Sequence, residues 1–262
     1  MKTKENAMRK LLKSIPFLKY LVIIARIFKS ERGLTRRFLC LWSFLKDYYK
    51  FRNLSKNTDC TLETADLFPR IYDKTDNHKI DPVYFLQGTW CARKIFEQKP
   101  DHHYDIGSQA LMVGIISQFA PTTMIDIRPL EIILPSLSFI KGDITHLPFH
   151  DSSISSLSSI CVIEHIGLGR YGDALDQFGT EKAVKELTRV LAKDGSLYIS
   201  VPVDKENKVY FNAHRAFTRE YILSIFEPLT LIEERYIYGS EIFPSYESLK
   251  GFGTGLYYFK NL

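Results

Sequence analysis

Three aspartates in the middle of this 262-residue chain accompany short apolar runs, and their spacing suggests a binding site. Asp105 lies in the run 102–106, Asp126 comes 21 residues later, and Asp143 follows a third run. A buried parallel strand would stop near each of these positions. Open α/β sheets bind ligands beyond the carboxyl ends of their strands, so the three carboxylates should meet in one crevice. Acceptors of this kind suit the hydroxyls and amines of a nucleoside.

The residues after the first predicted strand are typical of a ligand-binding turn. Gly107 has no Cβ and lets the backbone turn tightly beside a ligand, and Ser108 is predicted to cap the next helix. Asp126, about 20 residues beyond the turn, is placed to accept from ribose hydroxyls, and Asp143 from an exocyclic amine. The pattern G-x-G-x-x-G is missing from the chain. This argues against a dinucleotide, because a pyrophosphate needs glycines at the helix N-terminus.

Five motifs, in a fixed order over about 100 residues, resemble those of class I S-adenosylmethionine-dependent methyltransferases of the type 11 kind. They are D-x-G at 105–107, D-I-R-P at 126–129, G-D-x-x-x-L-P-F at 142–149, V-I-E-H-I at 162–166, and E-x-x-R-V-L with the following D-G-x-L at 186–197. Residues 167–173 and 212–215 further resemble a methyltransferase-like family without an assigned function. The chain departs from the pattern at Gln109 and Leu111, which replace glycines, and at Ser156, which replaces an acid.

This resemblance implies an α/β fold, a Rossmann-like seven-stranded class I methyltransferase sheet with an N-terminal helical arm. It implies S-adenosylmethionine as cofactor and transfer of its methyl group to a small acceptor, for which a sugar or glycan hydroxyl of polysaccharide biosynthesis is the expectation. Asp105 has an alternative role, which is to hold the glycine turn. The residues implied in cofactor binding are Asp105, Gly107, Ser108, Asp126, Ile127, Asp143 and Ile144.

Two histidines are candidate general bases. His165 follows the fourth predicted strand, where it would either take a proton from the acceptor or bond to the loop backbone. His214 follows the fifth strand and is a second candidate base, with Arg215 beside it to hold a carboxylate or phosphate. The alternative for this pair is a loop anchored by hydrogen bonds to the backbone.

Residues 167–173 contain three glycines with polar and aromatic residues between them. Loops at the binding edge of a rigid sheet often carry the site, so this loop is predicted to order over substrate, with Arg170 and Tyr171 in contact with it. The alternative is an irregular connection. No His or Cys spacing in the sequence indicates a metal site.

Charge divides the chain unevenly. Residues 1–57 contain 15 Lys/Arg and 3 Asp/Glu, a net charge of +12, whereas the remainder carries −7. The segment 9–29 is too short and too charged for a membrane span and fits a basic amphipathic helix on an anionic bilayer, or a helix packed on the domain. We predict a basic helical arm at 1–57, a linker at 58–81 and a methyltransferase-like α/β domain at 82–262.

Four scattered cysteines without a C-x-x-C pattern suggest neither a disulfide framework nor zinc. The expected location is therefore the cytoplasm, with peripheral attachment to the inner face of the membrane through residues 1–57. The rival function is a catalytically degenerate methyltransferase-fold binding module at a membrane surface, for which the replaced glycines argue. A nucleic-acid methyltransferase is disfavoured, because the chain lacks the pattern N/D-P-P-Y.

Overall fold

The computed structural model describes residues 34–54 and 60–262. The chain divides between Lys79 and Ile80 into two compact units. The predicted helix at 9–29 and residues 55–59 of the predicted linker lie outside the described residues. The proposed domain boundaries stay a prediction.

The first unit contains helix α1 (Leu34–Arg52) and a short 3-10 turn at Thr64–Asp66. Lys50 and Arg52 occupy the last turn of α1, where basic side chains interact favourably with the helix dipole. Large apolar side chains recur along one exposed side of α1: Phe38 is 63% exposed, Trp42 71% and Tyr49 60%. Across the described part of the chain, no helix combines the length and hydropathy needed to cross a membrane.

The second unit is a sheet with helices on both faces. Its helices are α2 (Pro82–Gln98), α3 (Ala110–Ile116), α4 (Gly179–Val190) and α5 (Arg219–Ile225). Its strands are β1 (His103–Ile106), β2 (Thr122–Asp126), β3 (Leu137–Lys141), β4 (Ile154–Ile160), β5 (Leu191–Val203), β6 (Lys208–Tyr210), β7 (His214–Ala216), β8 (Thr230–Tyr238), β9 (Glu241–Phe243) and β10 (Gly253–Lys260).

The main sheet has the order β3-β2-β1-β4-β5-β10-β8-β9. The first five strands in this order are parallel, and β10 runs antiparallel to both of its neighbours. Alternate residues of one strand enter opposite cores: Leu197 packs with α4 and α5, and Tyr198 with α2 and α3. The predicted α/β fold is confirmed, with two additions. Strand β9 makes the sheet eight-stranded, and β6 and β7 form a separate hairpin.

Local sequence explains where the elements near the sheet's ligand-binding edge begin and end. Helix α2 spans the predicted 82–98, because Asp81 accepts hydrogen bonds from the backbone N–H of Val83 and Tyr84 at its start. The apolar pattern of the sequence predicts a fourth strand from Ser155 to Ile163, and the predicted end is wrong. The strand stops at Ile160, since Cys161 has a left-handed backbone with φ of 53°.

Candidate active site

The carboxyl end of β1 is held by a buried aspartate. The Asp105 carboxylate is fully buried and accepts hydrogen bonds from the Ser108 backbone N–H at 3.0 Å and the Ser158 hydroxyl at 2.5 Å. Burial raises the pKa of Asp105 to about 6. Both oxygens are thus committed to the turn at Gly107, where φ is 70°. The structure corrects the cofactor-binding assignment of Asp105 in favour of its alternative role.

Ser108 joins the β1 turn to β4 instead of capping a helix. Helix α3 starts two residues later, at Ala110, and its N-cap is Gln109. The Ser108 hydroxyl accepts a hydrogen bond from the Ile160 backbone N–H at 2.9 Å. The predicted capping role of Ser108 is therefore wrong, although the residue lines a surface cleft together with Gly107 and Asp126.

A buried histidine completes the β1 network and explains one departure from the family pattern. His103 Nε2 lies 2.9 Å from the Ser158 hydroxyl, and its Nδ1 lies 2.8 Å from the Ser156 hydroxyl. Ser158 donates to Asp105, so His103 Nε2 must donate to Ser158 while Nδ1 accepts from Ser156. Burial lowers the pKa of His103 to about 3, which keeps it neutral. Ser156 thus serves as a partner for His103 where the family pattern has an acid.

The ends of β2 and β3 form one wall of a cavity of about 150 Å³. Asp126, Ile127, Asp143 and Ile144 all line it, together with Gly107, as expected from the sequence. One Asp126 oxygen accepts from the backbone N–H of the nearby Arg128 at 2.8 Å. The structure therefore brings these predicted residues together at one edge of the sheet.

The Asp143 carboxylate shapes its own turn. It accepts hydrogen bonds from the Thr145 backbone N–H and hydroxyl, both at 2.8 Å. The adjacent Gly142 is tightly packed, since a Cβ there would lie 2.7 Å from the Ile125 side chain. A larger residue at position 142 would push this wall out of place.

The predicted glycine loop, residues 167–173, is an ordered loop built around Asp173. The Asp173 carboxylate accepts from the backbone N–H groups of Gly167 at 2.8 Å, Gly169 at 3.2 Å and Tyr171 at 3.2 Å. Although burial alone would raise it, these bonds lower the pKa of Asp173. Gly167 has φ of 82°, and a Cβ there would lie 2.0 Å from the Asp176 carbonyl oxygen. The loop is therefore rigidly defined at its start.

Arg215 holds the backbone on both sides of the glycine loop. Its guanidinium donates to the Ile166 carbonyl at 2.6 Å and the Asp176 carbonyl at 3.1 Å, and the residue is only 7% exposed. These bonds commit its terminal nitrogens to the backbone. The predicted substrate contact of Arg215 is corrected to a structural role.

Tyr171 reaches from the glycine loop to the end of β2. Its ring lies 4.5 Å from the Arg128 guanidinium carbon and 5.1 Å from that of Arg170. It also meets the His165 ring edge-on at 5.6 Å. Tyr171 lines the cavity and is 39% exposed, so it can contact both the cavity and a molecule that approaches from solvent.

His165 lies at the carboxyl end of β4 and lines the same cavity. Its Nδ1 is 2.7 Å from the Ala213 carbonyl oxygen, which can only accept, so Nδ1 carries the proton and Nε2 has a lone pair. Burial lowers the pKa of His165 to about 4, and the positive charge of Arg170 acts in the same direction. His165 is therefore a neutral imidazole at physiological pH.

His214 occupies a different place. It lies on β7, half-buried, with its ring 5.1 Å from Tyr210 and 5.7 Å from Phe252, and it is not among the residues that line the cavity. The segment around it contributes through its backbone, since the Ala213 carbonyl also accepts from Arg170 at 2.8 Å. The motif at 212–215 thus positions His165 and the glycine loop.

The sequence leaves two roles open for Glu164, which are to fix the loop or to hold the cofactor. Its side chain is 1% exposed, and Oε2 has no hydrogen-bond partner among the residues that the structure describes. Oε1 lies 3.7 Å from His165 Nε2. Burial raises the pKa of Glu164 to about 8. The sequence contains one signal for such a site, which is an acidic residue inside a segment predicted to be buried. A buried carboxyl normally has hydrogen-bond partners, so a position of this kind is a candidate for ligand binding.

Cys161 is a second residue of the β4 end whose predicted role changes. The sequence indicates a small core residue, but Cys161 is partly exposed and lines the cavity. Its thiol donates to Gln87 Oε1 at 3.1 Å, and the Ser200 hydroxyl donates to the same oxygen at 2.9 Å. Cys161 therefore links the cavity to α2.

Two further motifs prove to be structural partners of each other. Arg189 donates to the carbonyls of Leu147 and Phe149 at 3.1 and 2.9 Å, while Glu186 accepts from the Leu147 backbone N–H at 2.8 Å. The pair in α4 thus holds the L-P-F segment in place.

Comparison with known proteins gives the fold and little more. A family model described as Caenorhabditis protein of unknown function, DUF268, matches residues 145–234, about a third of the chain. No curated protein matches. Among solved structures, the [4+2]-cyclase SpnF aligns with a TM-score of 0.52 and 11% identity, covering 68% of this chain and 81% of its own.

Two methyltransferases align about as well. A sarcosine dimethylglycine methyltransferase from Galdieria sulphuraria gives a TM-score of 0.51 at 12% identity, with 70% of this chain and 91% of the other covered. The N-methyltransferase NodS from Bradyrhizobium japonicum WM9 gives 0.50 at 17%, with 69% and 97% covered. The chain therefore has the fold of class I S-adenosylmethionine-dependent methyltransferases. Since one protein of this fold is a cyclase, the reaction has to be argued from the site.

Proposed function

We propose that this protein is an S-adenosylmethionine-dependent methyltransferase that acts on a small acceptor. The observation that carries the proposal is a single cavity lined by the two strand-end carboxylates, Asp126 and Asp143, and by the neutral imidazole of His165. Acceptors for a nucleoside and a proton acceptor for the reaction are thus within one site. Gly107 and Gly142 line the cavity too, at turns where a Cβ would lie 3.0 Å from the Val162 side chain and 2.7 Å from that of Ile125.

The residues present fit this cofactor. Asp126 would accept hydrogen bonds from the ribose hydroxyls and Asp143 from the adenine amine, while Ile127 and Ile144 would contact the base. The cofactor, when bound, supplies a methyl group activated by a positively charged sulfur. The Arg128 guanidinium lies 3.3 Å from both Asp126 oxygens and has to shift when hydroxyls bind there.

His165 is proposed as the general base. The hydrogen bond from Nδ1 to Ala213 fixes the ring, and the Nε2 lone pair would take the proton of an acceptor hydroxyl. The two interpretations of His165, as a base and as a partner of the loop backbone, are therefore compatible. The hydrogen bond to the Ala213 carbonyl orients the ring that acts as the base. His214, outside the cavity lining, is the weaker of the two candidates.

The acceptor is proposed to be a sugar or glycan hydroxyl. The resemblance to polysaccharide-associated methyltransferases supports this, and so does the mouth of the cavity. There, Tyr171 offers an aromatic face, and Arg170 adds a positive charge that would attract an acidic sugar. Both residues were predicted to contact substrate.

Calorimetric titration with S-adenosylmethionine and S-adenosylhomocysteine tests the cofactor assignment. The full chain should bind both, and Asp126→Ala should weaken binding by about 2 kcal/mol, since hydrogen bonds to charged groups are the strong kind. Asp101→Ala, an exposed aspartate outside the cavity lining, is the matched control and should bind as the wild type does. Unchanged affinity in a folded Asp126→Ala protein would refute the ribose assignment, and no binding by the wild type would favour the degenerate binding module.

A second proposal concerns residues 1–57, which we infer to bind the cytoplasmic face of an anionic membrane. In the described part of this segment, the exposed stripe of Phe38, Trp42 and Tyr49 lies on a helix that also carries Arg36, Lys46, Lys50 and Arg52. Apolar anchors beside basic residues are typical of helices that lie on bilayers. Each basic residue near such a surface contributes about 1 kcal/mol at low salt.

Vesicle sedimentation tests the membrane proposal. The full chain should pellet with anionic vesicles at low salt and much less with neutral ones, and the double variant Phe38→Ser and Trp42→Ser should remain in solution. A double variant with unchanged sedimentation would remove α1 from the contact. Failure of the wild type to pellet would refute the proposal.

A further inference from the structure

Glu164 is buried directly behind the cavity wall at the end of β4, without lining the cavity itself. It belongs to the 3-10 turn at Ile163–His165, which follows β4 directly. Cys161 and Val162 before it, and His165 after it, all line the cavity. Glu164 is therefore flanked along the chain by residues that contact whatever binds there.

The surroundings of Glu164 stabilise a negative charge only in part, because burial raises its pKa by more than its own backbone N–H, the Cys161 side chain and Arg170 lower it. Oε2 lacks a partner among the described residues, and Oε1 faces the lone pair of His165 Nε2 at 3.7 Å. The other titratable or charged groups near it are Cys161, Arg170 in the glycine loop, and Tyr84 on α2. The Arg170 guanidinium is bonded to the Ala213 carbonyl, so its attraction offsets only part of the cost of burial. An ionised carboxylate without a close partner costs several kcal/mol in such a place, so Glu164 is neutral in the free protein.

We propose that Glu164 is the acidic partner of a positively charged ligand in this cavity, and that it releases its proton when that ligand binds. The inference rests on the proposed function, in which the ligand is S-adenosylmethionine with its cationic sulfur. A nearby positive charge favours the ionised carboxylate, and S-adenosylhomocysteine lacks that charge. Glu164 therefore distinguishes the methyl donor from the spent product.

The same change would prepare His165 for its role. An ionised Glu164 at 3.7 Å favours the protonated imidazole and so raises the proton affinity of His165. The general base thus becomes stronger when the methyl donor is bound. The proton that His165 then takes comes from the acceptor, and the electron pair of the broken carbon–sulfur bond stays on sulfur.

Proton release can be measured by calorimetry in two buffers of different ionisation enthalpy at pH 7, where a carboxyl of pKa about 8 is still largely protonated. The full chain should release about one proton on binding S-adenosylmethionine and close to none with S-adenosylhomocysteine. Glu164→Gln should abolish the release. Glu181→Gln is the matched control, because Glu181 on α4 also has a buried oxygen without a partner among the described residues. Its other oxygen accepts a hydrogen bond from the Tyr221 hydroxyl, and neither chain neighbour of Glu181 is at the end of β4, so this variant should release the proton as the wild type does.

A carbon NMR titration of glutamate carboxyls in the ligand-free protein gives an independent readout. The resonance lost in Glu164→Gln should titrate near pH 8, and titration near the ordinary value of 4.5 would overturn the inference. Binding of S-adenosylmethionine without proton release would also overturn it while leaving the proposed function intact. If neither ligand binds, the proposed function and this inference both fail.

Discussion

Strand β1 and the turn after β4 each contain a buried carboxyl and a histidine, yet they differ in how completely these groups are paired. At β1, both Asp105 oxygens and both His103 nitrogens have hydrogen-bond partners. At β4, His165 has one anchored and one available nitrogen, and one Glu164 oxygen is buried without a partner in the described structure. The polar groups of β1 satisfy one another, whereas the pair after β4 keeps one nitrogen and one oxygen without a hydrogen-bond partner among the described residues.

This difference distinguishes a site that stabilises the fold from a site that is available to a ligand, within one sheet. A buried polar network with every bond made stabilises a unique fold, while an unpaired buried group is costly and calls for an explanation. The cavity supplies that explanation, because a ligand there would contact His165 and approach the buried Glu164 behind it. We therefore expect changes at β1 to affect stability and changes at β4 to affect ligand chemistry.

The largest effect is expected from His165→Ala. Removal of a general base lowers turnover by roughly 10²–10⁴-fold, with little change in cofactor affinity. The measurement is S-adenosylhomocysteine formation with a panel of sugar acceptors. His214→Ala is the matched control and should retain most activity. The reverse ranking would move the base to the β6–β7 hairpin.

Glu164→Gln is expected to change how stability depends on pH. The folded-state pKa of about 8 lies above the ordinary 4.5, so the stabilising contribution of the protonated carboxyl is complete below pH 4.5 and is lost as pH rises towards 8. Each unit of pKa difference corresponds to about 1.4 kcal/mol, so the wild type should lose roughly 4 kcal/mol relative to the variant between pH 5 and pH 8. Urea unfolding at several pH values measures this, and parallel profiles would contradict it.

The sequence predicts the fold and the cavity wall better than it predicts the pairing of the buried polar side chains. The fold and the cavity wall could be predicted, because apolar runs, strand-end acids and glycine turns are local patterns. Asp126, Ile127, Asp143 and Ile144 follow from their positions at strand ends, whatever the rest of the chain does.

The wrong or missing assignments involve partners that are distant along the chain. Arg215 bonds to a carbonyl 49 residues away, and His103 bonds to hydroxyls 53 and 55 residues away. Ser108 likewise finds its partner in β4, 52 residues on. Side-chain type alone does not distinguish a buried Arg that anchors a loop from one that binds substrate, because that choice depends on tertiary packing.

Asp105→Asn should reduce stability by about 1–3 kcal/mol. The new amide NH₂ group cannot accept a hydrogen bond, so either the Ser108 N–H or the Ser158 hydroxyl would lose its acceptor. Asp126→Asn, at the cavity wall, should lose less stability because its carboxylate lies at the cavity rather than in the closed β1 network. Urea unfolding of both variants at pH 7 gives the comparison. Equal losses would show that the end of β2 is as structural as the end of β1.

The smallest effect is expected from Arg128→Ala. The contact between Arg128 and Tyr171 is partly exposed, and such cation–π contacts contribute about 0.5–1 kcal/mol. Amide hydrogen exchange in residues 167–173 should become modestly faster. Unchanged exchange would show that the Asp173 bonds alone hold the glycine loop.

Thermal unfolding with and without S-adenosylmethionine tests the central contrast most directly, since each melting curve gives both the basal stability and the ligand effect. For Ser158→Ala, which removes one of the two hydrogen-bond partners of Asp105 and one of the two of His103, the account predicts a lower basal Tm and the wild-type increase on adding ligand. For Glu164→Gln it predicts a basal Tm at pH 7 that is equal to or above that of the wild type, with a smaller ligand-induced increase. A normal ligand effect in Glu164→Gln, together with a diminished one in Ser158→Ala, would contradict the assignment of structure to β1 and chemistry to β4.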